Sequence, residues 1–348
     1  MSEPTDLPMP AHYDPLQCEQ ADYVPDPGAL QEEALAWARS HDIEPAGSDA
    51  RRSHLLVIDD QIDFSFPSGA LFVGGRSGRG AMDAQRALVE FVYRNLGRIA
   101  EITCTLDSHV PFQIFFPAAH LTGGGVHPPP NTPVSADDYK QGRLRPNPAM
   151  AWQLGVDAEW LERQFVYYCE QLEAEGKYQL FLWPYHCLLG SEGHRLSGVV
   201  DQVRLFHGFA RQAANRPVLK GDNPLSERYS VFREEVATCF DGRPIPGLQG
   251  SGALVETLLQ SDALLLAGLA SSHCLKESIT DLLVEIRKRN PAMVDRIYIL
   301  RDCSAAVVIP DGPDFTEQAE KALDEFAAAG MHVVDSTTPM AAWPGMVA

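Results

Sequence analysis

The chain has 348 residues, of which 45% are hydrophobic, and its formal net charge is −19 at pH 7. A chain of this size can bury a large core, either as one domain or as a domain with extensions. The negative charge would repel a phosphate backbone, and the Lys and Arg residues form no basic run, so we expect no nucleic-acid partner.

The sequence also argues against a membrane-bound or secreted protein. Its longest apolar stretch, 263–270, is far shorter than the about 18 to 20 residues that a membrane-spanning helix needs. Residues 1–10 lack the basic segment and apolar core of a secretory signal. The seven cysteines form no close pair that would indicate a zinc knuckle or a redox dithiol. We therefore expect a cytoplasmic protein with reduced thiols and no membrane partner.

The beginning of the chain differs in composition from the rest. Residues 1–50 contain many prolines and acidic residues, one helical stretch at 29–39 and no strong apolar strand. This composition predicts an N-terminal extension that packs on a main domain of residues 51–348.

From His54 onward, short apolar runs alternate with amphipathic stretches. The runs predict strands at 54–58, 99–105, 179–183, 217–220, 263–268, 296–300 and 332–334. The amphipathic stretches predict helices at 82–95, 157–175, 198–215, 252–260, 274–288 and 315–329. Such alternation is typical of an α/β fold with a parallel sheet covered by helices on both faces. Ligands bind beyond the carboxyl ends of such strands, so polar residues just after each run are the candidate site residues.

One segment interrupts the alternation. Residues 121–155 contain three consecutive glycines, three consecutive prolines and several later prolines. Long connections without regular structure are usually functional or disordered. We interpret this segment as an inserted loop near the mouth of the site.

A carboxylate follows the first predicted strand. Four apolar residues, 55–58, run directly into Asp59, Asp60 and, after two more residues, Asp63. A carboxylate at the end of a buried strand is well placed for acid–base catalysis. The alternative is that Asp59 or Asp63 only caps the following turn.

A cysteine follows the predicted strand at 263–268. Small residues form a tight turn, and a predicted helix begins at Cys274. The amides and dipole at a helix N-terminus favour thiolate over thiol, as a nucleophile requires, and the same amides could hold an oxyanion. From position alone, a buried structural cysteine explains Cys274 equally well.

A lysine closes the predicted strand at 217–220. Lys220 would face the same edge of the sheet, where an ammonium group could hold the carboxylate and lower the thiol pKa. Taken alone, Lys220 fits a solvated surface residue.

Three further residues have the chemistry of metal ligands. Asp107 and His109 are two positions apart at a strand end, so their side chains point to one face and could share a metal ion. His186 follows another apolar run and offers a third ligand. The alternative for His186 is a turn histidine hydrogen-bonded to backbone.

Together these segments resemble the isochorismatase-like cysteine hydrolase superfamily, and within it the nicotinamidases. The resemblance extends from His54 to the C-terminal strand. Asp59 matches the catalytic aspartate of the V-D-x-Q-x-D-F segment, Lys220 the lysine of the K-G segment, and Cys274 the nucleophile of the G-x-A-x-x-x-C segment.

The resemblance implies a three-layer αβα sandwich around a six-stranded parallel sheet. It also implies a cis peptide before Ala270, which aims the amides of Ala270 and Cys274 into an oxyanion hole. The matches to metal ligands are Asp107, His109 and His186, for a divalent ion that we expect to be zinc, with iron or manganese as alternatives. The matches to aromatic residues around the ring pocket are Phe64, Trp183 and Tyr229.

The chain departs from the family at one position of the metal loop. Many nicotinamidases have another histidine four residues after His109, where this chain has Gln113, and the intervening residues are replaced by 110–112. The insertion before Trp183 and residues 1–50 are also absent from smaller members of the family.

The resemblance implies a hydrolase that cleaves a small amide such as nicotinamide through a thioester, releasing ammonia and a carboxylic acid. We also expect a homo-oligomer. One alternative is a hydrolase of another amide or a ureide on the same fold, which the altered metal loop motivates. The other is a non-catalytic binding protein that uses the insertion as a partner surface.

Overall fold

A computed structural model describes residues 6–175, 179–248 and 250–346. Residues 1–5 of the predicted extension and residues 347–348 of the predicted domain lie outside the described residues. The strands of the described part are β1 (Ser53–Ile58), β2 (Ile99–Asp107), β3 (His120–Thr122), β4 (Thr132–Val134), β5 (Leu144–Pro146), β6 (Leu180–Leu182), β7 (Val218–Lys220), β8 (Ala263–Gly268), β9 (Ile297–Leu300) and β10 (His332–Val334).

The α-helices of the described part connect and cover these strands. They are α1 (Pro27–Ser40), α2 (Ile62–Ser65), α3 (Gly80–Arg94), α4 (Ala136–Lys140), α5 (Pro148–Leu154), α6 (Ala158–Glu175), α7 (Gly198–Arg211), α8 (Gly252–Leu259), α9 (Cys274–Arg289) and α10 (Thr316–Ala328).

Six strands form one parallel sheet in the order β10-β9-β8-β1-β2-β7. The predicted fold class is therefore confirmed. The central strands β1 and β8 are buried along their whole length, as expected for strands with both faces covered.

Alternation along β1 assigns its side chains to two helical layers. Leu55 and Val57 belong to the core that includes residues of α1, α3 and α7. Leu56 and Ile58 belong to the opposite core, with residues of α6, α8, α9 and α10. The sheet is thus the middle of three layers.

The strand order reverses direction beside β1. From β1 the chain continues to β2 and β7 on one side, whereas β8, β9 and β10 lie on the other. A crevice forms beyond the carboxyl ends of parallel strands at such a reversal, and ligands bind there. The residues after β1, β2, β7 and β8 therefore share one edge of the sheet.

One predicted strand lies outside this sheet. The apolar run at 179–183 forms β6, but β6 pairs antiparallel with β4, with Thr132 opposite Leu182. The expectation that this run joins the parallel sheet is wrong. Apolar character indicates a strand without indicating its partner, and here residues 121–155 supply the partner.

Residues 121–155 contain regular structure, although the sequence predicts a loop. They form β4, β5, α4 and α5, and β5 pairs with β3. Ser135 and Asp138 form a capping box that starts α4. Through the β4–β6 pair, this segment holds the backbone directly before Trp183.

The N-terminal segment packs on the helical layer of α7. The α1 helix begins after Asp26, whose carboxylate accepts hydrogen bonds from two amides of the first turn, and its apolar face packs on α7. Arg211, 1% exposed, donates to the carbonyl oxygens of Glu44 and Ile99 and pairs with Asp49. No helix in the described ranges combines the length and apolar character needed to cross a bilayer.

We predict that Arg211→Met lowers the free energy of unfolding by about 3 kcal/mol, because it leaves a partly buried carboxylate and two carbonyl groups without their donor. Urea denaturation of the full chain measures this change. Arg287→Met is the matched control, since Arg287 is exposed, and it should change stability by no more than about 0.5 kcal/mol. Equal free energies of unfolding in the two variants would show that the contacts of Arg211 do not stabilise the packing of the N-terminal segment.

Candidate active site

Three predicted catalytic residues come together at the carboxyl edge of the sheet. The ammonium nitrogen of Lys220 lies 2.8 Å from Asp59 Oδ2 and 3.8 Å from the sulfur of Cys274. Asp59 and Lys220 are fully buried, and Cys274 is 8% exposed. Groups that are 161 and 54 residues from Lys220 along the chain, by subtraction of residue numbers, thus meet in one place.

Sheet register produces this meeting. Asp59 follows the last residue of central strand β1, and Lys220 ends β7 directly opposite Asp107 of β2. Cys274 begins α9, just beyond β8. Four adjacent chain segments therefore deliver their polar side chains to the same crevice.

Lys220 remains an ammonium group in spite of its burial. Burial alone would lower its pKa, but Asp107 and Asp59 outweigh burial and raise the pKa well above its usual value. Its Nζ also donates to Asp107 Oδ1 and to the carbonyl oxygen of Arg228, each at 3.0 Å. Two carboxylate oxygens and one carbonyl oxygen therefore hold the lysine nitrogen beside the thiol.

Asp59 is placed to exchange a proton with the thiol. Burial raises its pKa above the ordinary value, and Lys220 opposes that shift. The hydroxyl of Thr105 donates to Asp59 Oδ1 at 2.5 Å. This bond fixes the carboxylate and leaves the other oxygen toward the lysine.

Burial raises the pKa of the Cys274 thiol well above its usual value, although Lys220 acts in the opposite direction. The carboxylates of Asp59 and Asp107 raise this pKa further. The surroundings of the sulfur therefore oppose the thiolate that the helix N-terminus alone predicts. A base is therefore needed, and Asp59 is the neighbouring candidate.

Atoms of Asp59, Asp107 and Cys274 lie within 4.8 Å of one another, a spacing that would suit a metal ion. Lys220 contacts all three of these residues. Because an ammonium group already neutralises the cluster, we assign no metal to it.

The turn between β8 and α9 has the backbone expected for an oxyanion hole. The peptide bond between Leu269 and Ala270 is cis, as the family resemblance implies. Gly268 has φ +109°, and a Cβ there would lie 2.2 Å from the carbonyl oxygen of Ile58. Cys274 is the first residue of α9, where backbone N–H groups have no acceptor within the helix. Ala270 and Cys274 both line the pocket.

The three predicted metal ligands also come together. His109 Nε2 lies 2.9 Å and His186 Nε2 lies 3.8 Å from Asp107 Oδ2. All three residues are buried, and their ligand atoms lie within 4.8 Å of one another.

The hydrogen bonds of both histidines fit a cation at this place. Nδ1 of His109 lies 3.0 Å from the carbonyl oxygen of Gly221, and Nδ1 of His186 lies 2.7 Å from that of Pro184. A carbonyl only accepts, so each Nδ1 carries a proton, and each Nε2 is directed toward Asp107. Burial lowers the pKa of His186 to about 4, which keeps its ring neutral. Three electron-pair donors facing one point suit a divalent metal.

The contacts of His186 agree with both alternatives given for it, a metal ligand and a turn histidine. It is a turn histidine bonded to backbone, and that bond orients its other nitrogen toward Asp107. The strand that precedes His186, β6, belongs to the β4–β6 pair, whereas Asp107 ends a strand of the main sheet.

Gln113 does not replace a metal ligand. Its amide nitrogen donates to the carbonyl oxygens of Gly221 and Asn223 at 2.7 and 2.9 Å, and its oxygen accepts from the amide of Val110. All its polar atoms are thus used on backbone. Gln113 braces the loop that also orients His109.

One pocket of about 510 Å³, measured out to its open mouth, connects the thiol with the metal ligands. Its walls include all three predicted aromatic residues, Phe64, Trp183 and Tyr229. The ring of Phe64 lies 5.5 Å from that of His186. A flat aromatic amide of small size fits such walls.

Thr105 and Glu227 are among the residues of the site that the sequence did not predict. Thr105 precedes Asp107 by two positions in β2, so strand alternation could have found it. Glu227 lines the pocket from the loop after β7, where no periodic pattern marks it.

No protein-family model matches the chain. A nicotinamidase of Escherichia coli (strain K12) is 31% identical over 116 residues, which are 32% of this chain and 43% of that protein. The matched segment thus spans less than half of this curated relative. Over this segment the chain is similar to a nicotinamidase. The resemblance stated from the sequence motifs is thereby confirmed as a similarity.

Solved structures that match the chain include nicotinamidases and pyrazinamidases. A nicotinamidase/pyrazinamidase of Acinetobacter baumanii is 18% identical, covering 83% of this chain and 99% of its own, with a TM-score of 0.48. The yeast nicotinamidase bound to the inhibitor nicotinaldehyde is 18% identical, covering 81% and 99%, with a TM-score of 0.48. A pyrazinamidase of Pyrococcus horikoshii in complex with zinc is 18% identical, covering 82% and 99%, with a TM-score of 0.42.

We predict that His186→Ala weakens zinc binding by more than about 100-fold, because it removes one of three convergent donors, and loss of a mere supporting residue already costs about 10- to 100-fold. Competition with a chromophoric chelator measures the affinity. His194→Ala is the control, since His194 lies nearby with its Nε2 bonded to Ser108. The assignment fails if His186→Ala retains the zinc affinity or if both variants lose it equally.

Proposed function

We propose that the protein is an amidohydrolase of the nicotinamidase type, with Cys274 as nucleophile, Asp59 as acid–base group and Lys220 beside them. The observation that carries this proposal is the contact of the buried Lys220 ammonium group with Asp59, Asp107 and Cys274, of which Asp107 and Cys274 line the pocket. The similarity to an E. coli nicotinamidase supports the substrate class.

In the first half of the reaction, Asp59 takes the proton of the thiol while the sulfur of Cys274 attacks the amide carbonyl carbon. The carbonyl oxygen becomes an oxyanion, which the backbone N–H groups of Ala270 and Cys274 stabilise. Lys220 keeps the carboxylate oriented and compensates the negative charge of the sulfur as it forms.

In the second half, Asp59 returns its proton to the nitrogen of the leaving group. The C–N bond breaks, ammonia departs, and the acyl group remains on Cys274 as a thioester. Asp59 then accepts a proton from water, the hydroxyl attacks the thioester carbonyl, and the C–S bond breaks. The proton returns to sulfur, so the products are ammonia and the carboxylic acid, and the enzyme is regenerated.

Asp107, His109 and His186 would hold the divalent metal, for which zinc is the first choice and iron or manganese the alternatives. When bound, such an ion supplies a Lewis acid that can hold a ring nitrogen of the substrate. Phe64, Trp183 and Tyr229 would confine the ring, so that its amide faces Cys274. These residues favour a small aromatic amide such as nicotinamide.

We predict that Cys274→Ala lowers ammonia release from nicotinamide by about 10⁴-fold or more, because removal of a nucleophile disables every chemical step. Binding of nicotinamide, measured by calorimetry, should persist, since the pocket walls remain.

Cys239→Ala is the matched control, because Cys239 is a buried cysteine outside the pocket, and it should retain turnover. Persistent turnover by Cys274→Ala would reject the scheme. Release of ammonia from other amides or ureides, but not from nicotinamide, would keep the chemistry and change the substrate.

A further inference from the structure

A buried carboxyl group lies between two aromatic walls of the pocket. Glu227 is 6% exposed and lines the pocket. Its Oε1 accepts a hydrogen bond from the indole N–H of Trp183 at 2.9 Å. The same N–H lies 3.0 Å from the hydroxyl oxygen of Tyr229. The indole N–H of Trp183 thus connects the carboxyl group of Glu227 with the hydroxyl group of Tyr229.

The backbone of Glu227 is fixed on both sides. Its amide donates to the hydroxyl of Tyr168 at 3.1 Å, and its carbonyl oxygen accepts from the amide of Glu235 at 2.9 Å. Trp183 is held at its own backbone, where its amide donates to the carbonyl oxygen of Phe115 at 2.9 Å. The carboxyl group thus joins two rigid segments across the pocket.

The burial of Glu227 favours the uncharged form of its carboxyl group. Burial raises its pKa to about 8, against the opposing hydrogen bonds from Tyr229 and Trp183. A neutral carboxyl group offers one donor and retains acceptor capacity, which matches a side-chain amide. Glutamine is therefore the conservative replacement for this residue.

We propose that Glu227 is a positioning residue that fixes the rings of Trp183 and Tyr229 and thereby sets the affinity for the aromatic substrate. The substrate part of this inference rests on the proposed function. Glu227 acts through the two rings, and it takes no part in the proton transfers of Asp59.

The first test is steady-state kinetics of Glu227→Ala and Glu227→Gln with nicotinamide. Loss of the carboxyl group leaves the indole N–H with the Tyr229 hydroxyl and removes the acceptor that holds the Trp183 ring in place, so Glu227→Ala should raise KM by about 10-fold or more while kcat stays within about 3-fold. Glu227→Gln keeps an acceptor oxygen and should keep KM within about 3-fold of the original. A residue needed only for stability would lower the amount of active enzyme and leave KM unchanged.

The second test needs no turnover. The ¹H–¹⁵N resonance of the Trp183 indole is assigned by its disappearance in Trp183→Phe. Glu227→Ala should shift this resonance and speed its exchange with solvent, whereas Glu227→Gln should leave it close to its original position.

The two tests separate the failure of this inference from that of the proposed function. If the unmodified protein releases no ammonia from nicotinamide, the function fails, and the indole resonance alone decides whether Glu227 orients Trp183. If the unmodified protein turns over nicotinamide, an unchanged KM in Glu227→Ala overturns the inference. An unchanged indole resonance in Glu227→Ala, or equal KM increases in both variants, also overturns it.

Discussion

The ammonium group of Lys220 is buried in the core of the protein, and the arrangement of the site depends on how its charge is compensated. Removing an isolated ammonium group from water costs several kcal/mol even after relaxation. Here Asp59 and Asp107 lie within 3.0 Å of the nitrogen, and a backbone carbonyl oxygen accepts a third contact. The cost is offset only while both carboxylates stay in place, so the lysine holds Asp59 beside the thiol.

The same charge cluster connects the residues around the thiol with the proposed metal ligands. Asp107 contacts Lys220 through one oxygen and faces the lone pairs of His109 and His186 with the other. A change at the metal ligands would therefore also alter the electrostatics at Asp59. The parallel sheet makes this coupling possible, because neighbouring strands end at one edge and place Asp107 directly opposite Lys220.

Much of this arrangement could be predicted from the sequence. The run at 263–268 has the limits of β8, and Asp59, Lys220 and Cys274 could be picked out because each ends or follows a strand or begins a helix at the carboxyl edge. The proposed metal ligands were picked out by the same rule and by family resemblance. Local pattern was sufficient where the function of a residue depends on its place at a strand end.

The remaining features depend on contacts between distant segments, which a local pattern does not specify. The partner of β6 is β4, so its apolar run gave no indication of the sheet to which it belongs. Gln113 stands where many nicotinamidases have a further histidine, and the sequence does not indicate that its side chain bonds to the backbone of another loop. The raised pKa of Cys274 follows from burial and from Asp59, neither of which the helix start reveals.

The most direct test of the charge cluster is the pH dependence of iodoacetamide alkylation at Cys274, followed by mass spectrometry of its peptide in the wild type, Asp59→Asn and Asp60→Asn. The account predicts that the wild-type rate still rises above pH 9.0, the ordinary thiol pKa. Asp59→Asn should shift the profile to lower pH by removing a negative neighbour. Asp60→Asn should not, since Asp60 bonds to Ser65 outside the cluster. A wild-type rate that is already constant at pH 7, or identical shifts in the two variants, would contradict this role of the charge cluster.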